Sequence, residues 1–155
     1  MNAMFPDAAR FEPVAVRPFR TGGPVAVVLR VEALVELVLA VSAYRAFGGG
    51  WLMFAALVLL PDLGIAGYLM NRRVGAAVYN LAHTYSAPAL LALAGLMLST
   101  SALYLPALIW AAHIGFDRVL GYGLKYPVAF GATHLGWTGA PAAFAEQPSE
   151  VPLFN

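Results

Sequence analysis

The chain has 155 residues, 61% of them hydrophobic and 11% charged, against roughly 45–50% and 25% in ordinary soluble domains. Its formal net charge is +1, and without a basic cluster or recognition motif nothing points to nucleic acid. No cysteine is present, which excludes disulfides, thiolate metal sites and cysteine nucleophiles.

Residues 1–24 are polar, proline-bearing and broken by charges. They lack the apolar core of a signal peptide, so a cytoplasmic N-terminal segment is expected. Four apolar stretches follow, over about 25–47, 51–70, 75–98 and 102–121, separated by Gly48-Gly49-Gly50, by Asn71-Arg72-Arg73 and by a short link around Ser99 to Ser101. Each is near the ~20 residues that cross a bilayer core as a helix. The expected fold is all-α: an integral membrane antiparallel four-helix bundle over 25–121. A soluble bundle of buried helices is the competing architecture, disfavoured by four consecutive stretches of membrane length. Residues 122–155 are expected to form a cytoplasmic tail, Pro/Ala/Glu-rich from Ala140.

Basic residues set the orientation. Arg10, Arg17 and Arg20 precede the first stretch, Arg72 and Arg73 follow the second, and Arg118 and Lys125 end the fourth, whereas only Arg45 flanks the other side. The positive-inside rule places both termini of a multi-pass membrane protein in the cytoplasm. Arg30 lies nearer the surface than Glu32 and is turned away from it, so it is expected to snorkel rather than pair.

Within these stretches sit Glu32, Glu36, Asp62, His83, His113 and Asp117. Ionisable groups in hydrocarbon are costly and mark functional sites by default. At ~1.5 Å rise per residue, most of them fall roughly 10–16 Å from the cytoplasmic face, in one layer. Glu32 and Glu36, like His113 and Asp117, are spaced i,i+4 and share a helix face. Pro61 precedes Asp62 and is expected to free a carbonyl one turn back. Tyr79, Asn80 and His83 share a flank, with Asn80 placed to orient the imidazole.

Two imidazoles and several carboxylates form a nitrogen/oxygen set suited to zinc, iron or manganese. Asp62, His83, His113 and Asp117 are the candidate metal ligands, and Glu32 is a further ligand or general base. Inward-facing carboxylates and histidines follow the logic of di-metal bundles, although His113-x-x-x-Asp117 replaces their Glu-x-x-His spacing. A bound ion could activate water, so the first functional reading is a metal-dependent membrane hydrolase. Arg118 and Lys125 could hold an anionic headgroup, which suits a lipid-like substrate; the bilayer is the expected partner. Two other readings stay open: a structural polar network between helices, and a proton relay in a small transporter. Paired haem ligation by His83 and His113 is less attractive beside so many acids.

Trp51, Tyr104 and Trp110 read as interfacial anchors or packing, and Gly64 and Gly67 as points of close helix contact. His134 reads as a surface histidine, with folding back over the site mouth as the alternative.

The strings LRVEALVELVLA (29–40), LLPDLGIAGYL (59–69), VGAAVYNLAHTY (74–85), LIWAAHIGFDRVLGYGLKYP (108–127) and THLG (133–136) resemble a small bacterial family, domain of unknown function 4260. The resemblance spans residues 28–137, and the long fourth string makes it specific. It implies four membrane spans and no assigned activity. Its characteristic residues carry over as Glu32, Asp62, Asn80, His83, His113, Asp117, Arg118 and His134; Glu36 is less clearly part of the pattern. Ala132 stands where the family pattern has an acid, which removes a carboxylate partner from His134.

Overall fold

Proline and glycine decide where the apolar stretches bend. A computed structural model describes residues 23–138. The N-terminal arginines at 10, 17 and 20 and the Pro/Ala/Glu-rich tail from 140 lie outside the described residues.

Helix α1 (Pro24–Ala46) starts with proline in its first turn, where the missing N–H is harmless. The glycine run after it lets the chain close on Tyr44, whose hydroxyl donates to Gly50 O at 2.6 Å. The second stretch is not one α-helix. Pro61 has no N–H to offer Leu57 and its ring opposes that carbonyl, so α2 (Trp51–Leu57) gives way to a 3₁₀ helix, Leu60–Leu69. Together Trp51–Leu69 make one helical stretch that is long and apolar enough to cross a membrane by length and composition.

The third stretch is also divided. Helix α3 (Arg72–Ala82) begins with Asn71 accepting from Val74 N–H at 2.9 Å and ends at His83. Helix α4 (Ser86–Met97) then carries Pro88 in its first turn. A continuous helix would bring the Pro88 ring against the Thr84 carbonyl, so the break falls between His83 and Tyr85. Helix α5 (Ser101–Leu120) runs unbroken through Pro106 and stops at Gly121, which takes φ +97. That left-handed residue directs Tyr122 N–H back to Asp117 O at 2.8 Å.

The central helix α5 packs antiparallel against α1 and also against α4, while the 3₁₀ helix packs mainly on α3. The α1–α5 approach is close at Gly115, where a Cβ would sit 3.1 Å from Ala33 O. After α5 the chain forms a small β-hairpin, β1 (Ala132–Thr133) with β2 (Gly136–Trp137), joined to Lys125 by a bridge at Thr133. Residues 122–138 thus form a cap built on this hairpin. The chain is mostly helical, an all-α fold with this one hairpin.

Side-chain sizes are distributed unusually. Buried helix positions carry mostly small groups, among them Ala26, Ala33, Ala40, Ala76, Ala107 and Ala112. Large apolar side chains such as Val35, Leu39, Leu63, Leu69, Leu90 and Met97 are exposed.

Candidate metal centre

Both chain breaks deliver a candidate ligand. Asp62 follows Pro61 in the first turn of the 3₁₀ helix, and His83 closes α3. His113 and Asp117 project from one face of α5. The structure brings these four together: one donor atom from each lies within 4.8 Å of all the others.

His83 Nε2 is 3.2 Å from His113 Nε2, 3.5 Å from Asp62 Oδ1 and 3.4 Å from Asp117 Oδ2. His113 Nε2 is 3.6 Å from Asp62 Oδ1 and 3.9 Å from Asp117 Oδ2. A tetrahedron with ~2.0–2.1 Å bonds to nitrogen and oxygen has edges of about 3.3 Å. Most of these separations are close to those edges, and the 3.2 Å between the two Nε2 atoms is also within hydrogen-bond reach.

The tautomer of His83 follows from its neighbours. Its Nδ1 lies 2.9 Å from Tyr79 O, and a carbonyl can only accept, so Nδ1 carries the proton and donates. Neutral His83 therefore presents a lone pair at Nε2 toward the other three donors. This is the arrangement that fixes a metal-binding imidazole. The Tyr79 ring stacks on the imidazole at 3.7 Å between centroids, while its hydroxyl donates to Asp117 Oδ2 at 3.0 Å. Trp110 Nε1 donates to Ala82 O at 2.6 Å, fixing the end of α3 beside His83.

Exposure divides the four. The side chains of His83, His113 and Asp117 are 4%, 3% and 14% exposed, against 37% for Asp62. Asp62 and Asp117 also line two cavities. One, of about 470 Å³, is walled mainly by apolar groups of α1, α2 and α5. The other, of about 240 Å³, is flanked by Tyr79, Tyr122, Lys125 and Phe130.

The remaining residues singled out in the sequence take other places. Glu32 and Glu36 stand on exposed positions of α1 and do not join the four, because Ala33, Leu37 and Ala40 provide the face that meets α5. Asn80 does not orient the imidazole. Its Nδ2 donates to Lys125 O at 2.9 Å and its Oδ1 accepts from Lys125 N–H at 2.6 Å, so it clamps the cap onto α3. Arg30 makes no pair with Glu32 and lies over Gly121, at the C-terminal end of α5 where a cation is favoured.

Arg118 lies over the Tyr85 ring at 4.4 Å rather than beside Lys125 in the smaller cavity. His134 is half-buried, and its Nδ1 accepts from Leu124 N–H at 2.8 Å. Burial, then the nearby Arg118 charge, holds its imidazole below the ordinary histidine range. It folds into the cap, against Gly123 and Leu124.

Sequence reasoning gave Tyr79 no role of its own. Its i,i+4 spacing from His83 was the available signal, but helix periodicity does not reveal a hydroxyl reaching α5. The burial of Lys125 was equally hidden, since it depends on the hairpin folding back.

Fold and site together define a predominantly helical protein with a buried two-histidine, two-aspartate group that could hold a metal ion. The chain belongs to a family described as Domain of unknown function (DUF4260), whose model matches residues 26–138. No curated protein and no solved structure matches it.

Proposed function

We propose that this protein is a multi-pass membrane metalloenzyme, seated in a bacterial inner membrane with both termini cytoplasmic. In this reading Asp62, His83, His113 and Asp117 bind a divalent ion of the zinc, iron or manganese type, and the centre hydrolyses a lipid-like substrate. The observation that carries it is the convergence of four donor atoms, two from imidazoles and two from carboxylates, within 4.8 Å of one another.

The side-chain distribution supports the membrane setting. Helices in lipid gain little by hiding leucine and associate through small residues that let backbones approach, which is the pattern of buried alanines and exposed leucines and valines seen here. Among the described residues, only Trp51–Leu69 satisfies length and apolarity as a single helical stretch. Charged residues in α1, the break at His83, and His113, Asp117 and Arg118 in α5 set the other stretches apart from that pattern.

A bound ion would supply an acidified water and polarise the bond under attack. His83, His113 and Asp117 would hold it from the buried side, with Tyr79 keeping the Asp117 carboxylate in place. Asp62, the most exposed of the four and adjoining both cavities, would take the proton from the attacking water. Water oxygen adds to the ester, and the alkoxy oxygen leaves as the alcohol after receiving that proton.

Elemental analysis of detergent-purified protein tests the centre, comparing wild type with His83→Ala and His113→Ala. Stoichiometric metal that disappears in both variants is expected. A folded wild type that stays metal-free after reconstitution would overturn the proposal and return the four residues to a packing or proton-relay role.

A further inference from the structure

The two cavities that share Asp62 and Asp117 differ in chemistry. The larger carries no cation. Leu37, Val41, Phe54 and Val58 form much of its wall, and the exposed Trp51 and Phe116 stand at its surface. At about 470 Å³ it falls within the ordinary range of small-ligand pockets. The smaller cavity carries Lys125, only 4% exposed, whose backbone is pinned by both ends of the Asn80 amide.

The Lys125 ammonium sits 3.9 Å from the Phe130 ring centroid, 4.7 Å from that of Tyr79 and 5.9 Å from that of Tyr122. Asp62 and Asp117 line the same cavity and act on its charge. Burying a lysine is costly and aromatic faces compensate only in part, while an ion held by the two carboxylates would take up their negative charge. A cation placed this way at a cavity wall is positioned for an anion from outside the chain.

We propose that the two cavities form one binding site for a single-chain lipid with a phosphomonoester headgroup, its chain in the apolar cavity and its phosphate on Lys125. The proposal rests on the reading of the chain as a membrane protein with a lipid-like substrate, and it names that substrate's class. The apolar walls match an aliphatic chain. A phosphomonoester offers several strong acceptor oxygens, enough to face Lys125 and the four-residue centre together. The bond between chain and headgroup would then lie beside Asp62 and Asp117, which border both cavities.

Native mass spectrometry of the detergent-solubilised full chain tests this. The probes are lysophosphatidic acid, lysophosphatidylcholine of the same chain length, and inorganic phosphate, each offered to metal-loaded and to chelator-treated protein. Wild type is expected to favour lysophosphatidic acid by about tenfold or more, the scale of a hydrogen bond to a charged group. Lys125→Met, which keeps an apolar chain for the aromatic rings, should bring the two lipids to equal binding, and Lys125→Arg should keep the preference. Val58→Trp should weaken both lipids alike.

Equal binding of the two lipids by wild type, or a preference that survives Lys125→Met, would overturn the proposal. So would displacement of the lipid by inorganic phosphate at equal concentration, which would make the site one for free phosphate. None of these measurements reads hydrolysis or metal content. Lipid selectivity in a protein that never holds metal would leave this site standing and remove only the metalloenzyme; metal without lipid selectivity would do the reverse.

Discussion

Tyr79 reaches across to Asp117 from a different helix: its hydroxyl donates to Asp117 Oδ2 at 3.0 Å while its own backbone carbonyl receives the Nδ1 proton of His83. One residue of α3 thereby orients a carboxylate of α5 and sets the tautomer of an imidazole.

Replacing Tyr79 with phenylalanine keeps the ring stack and the carbonyl and removes only the hydroxyl. Loss of a partner that orients a ligand weakens metal affinity by about 10–100-fold. Competition with a chromophoric chelator should show that loss in Tyr79→Phe, with wild-type stoichiometry at saturating metal. An unchanged affinity would mean that the hydroxyl does not position Asp117.

Asn80→Ala should release the cap. Both hydrogen bonds to the Lys125 backbone disappear, leaving its N–H and carbonyl without those partners at a cost of about 1–3 kcal/mol. Hydrogen exchange should accelerate through residues 124–137 and leave the α1–α5 contact protected. Uniform protection throughout would contradict the clamp.

Acid should loosen the same cap. The folded environment holds His134 below its ordinary value of 6.5, so the neutral form is favoured in the fold. The resulting stabilisation is present above that value and is lost as pH falls through the depressed one. Amides at 124, 126 and 134, which make the cap hydrogen bonds, should lose protection beyond the intrinsic rate change when pH is lowered from about 7.5 to 5. His134→Gln should flatten that dependence.

Gly115→Val tests the helix contact rather than the site. Its Cβ would sit 3.0 Å from Leu37 Cβ, with backbone atoms of Ala33 and Leu37 at 3.1 Å. Overpacking of this kind costs about 1–3 kcal/mol. Thermal unfolding in detergent should register it as a lower midpoint, and an unchanged midpoint would mean that α1 can shift away without loss.

Much of the helical content was legible because apolar runs and glycine or charged punctuation need no tertiary information. The i,i+4 spacing of His113 and Asp117 likewise specified a shared face before any packing was known. The break at His83 was not read, although Pro88 supplied the signal five residues later. Pro61 signals a freed carbonyl one turn back, whereas the rest of that stretch takes 3₁₀ geometry. Glu32 illustrates the limit of depth as a guide: a residue at matching height still needs the right azimuth, and Ala33 holds the one that meets α5. Asn80 and Lys125 depend on a hairpin that only tertiary folding creates, so no local pattern could pair them.

The four candidate ligands are divided two and two. Asp62 and His83 ride on the 3₁₀ helix and α3, which pack on each other, while His113 and Asp117 belong to α5, held by α1 and α4. An ion among them would be a rivet between two half-bodies, with the apolar cavity running along the seam. Metal supply would then govern how far that seam can gape as well as any chemistry done at it, and starvation for the ion would be felt as a change of shape.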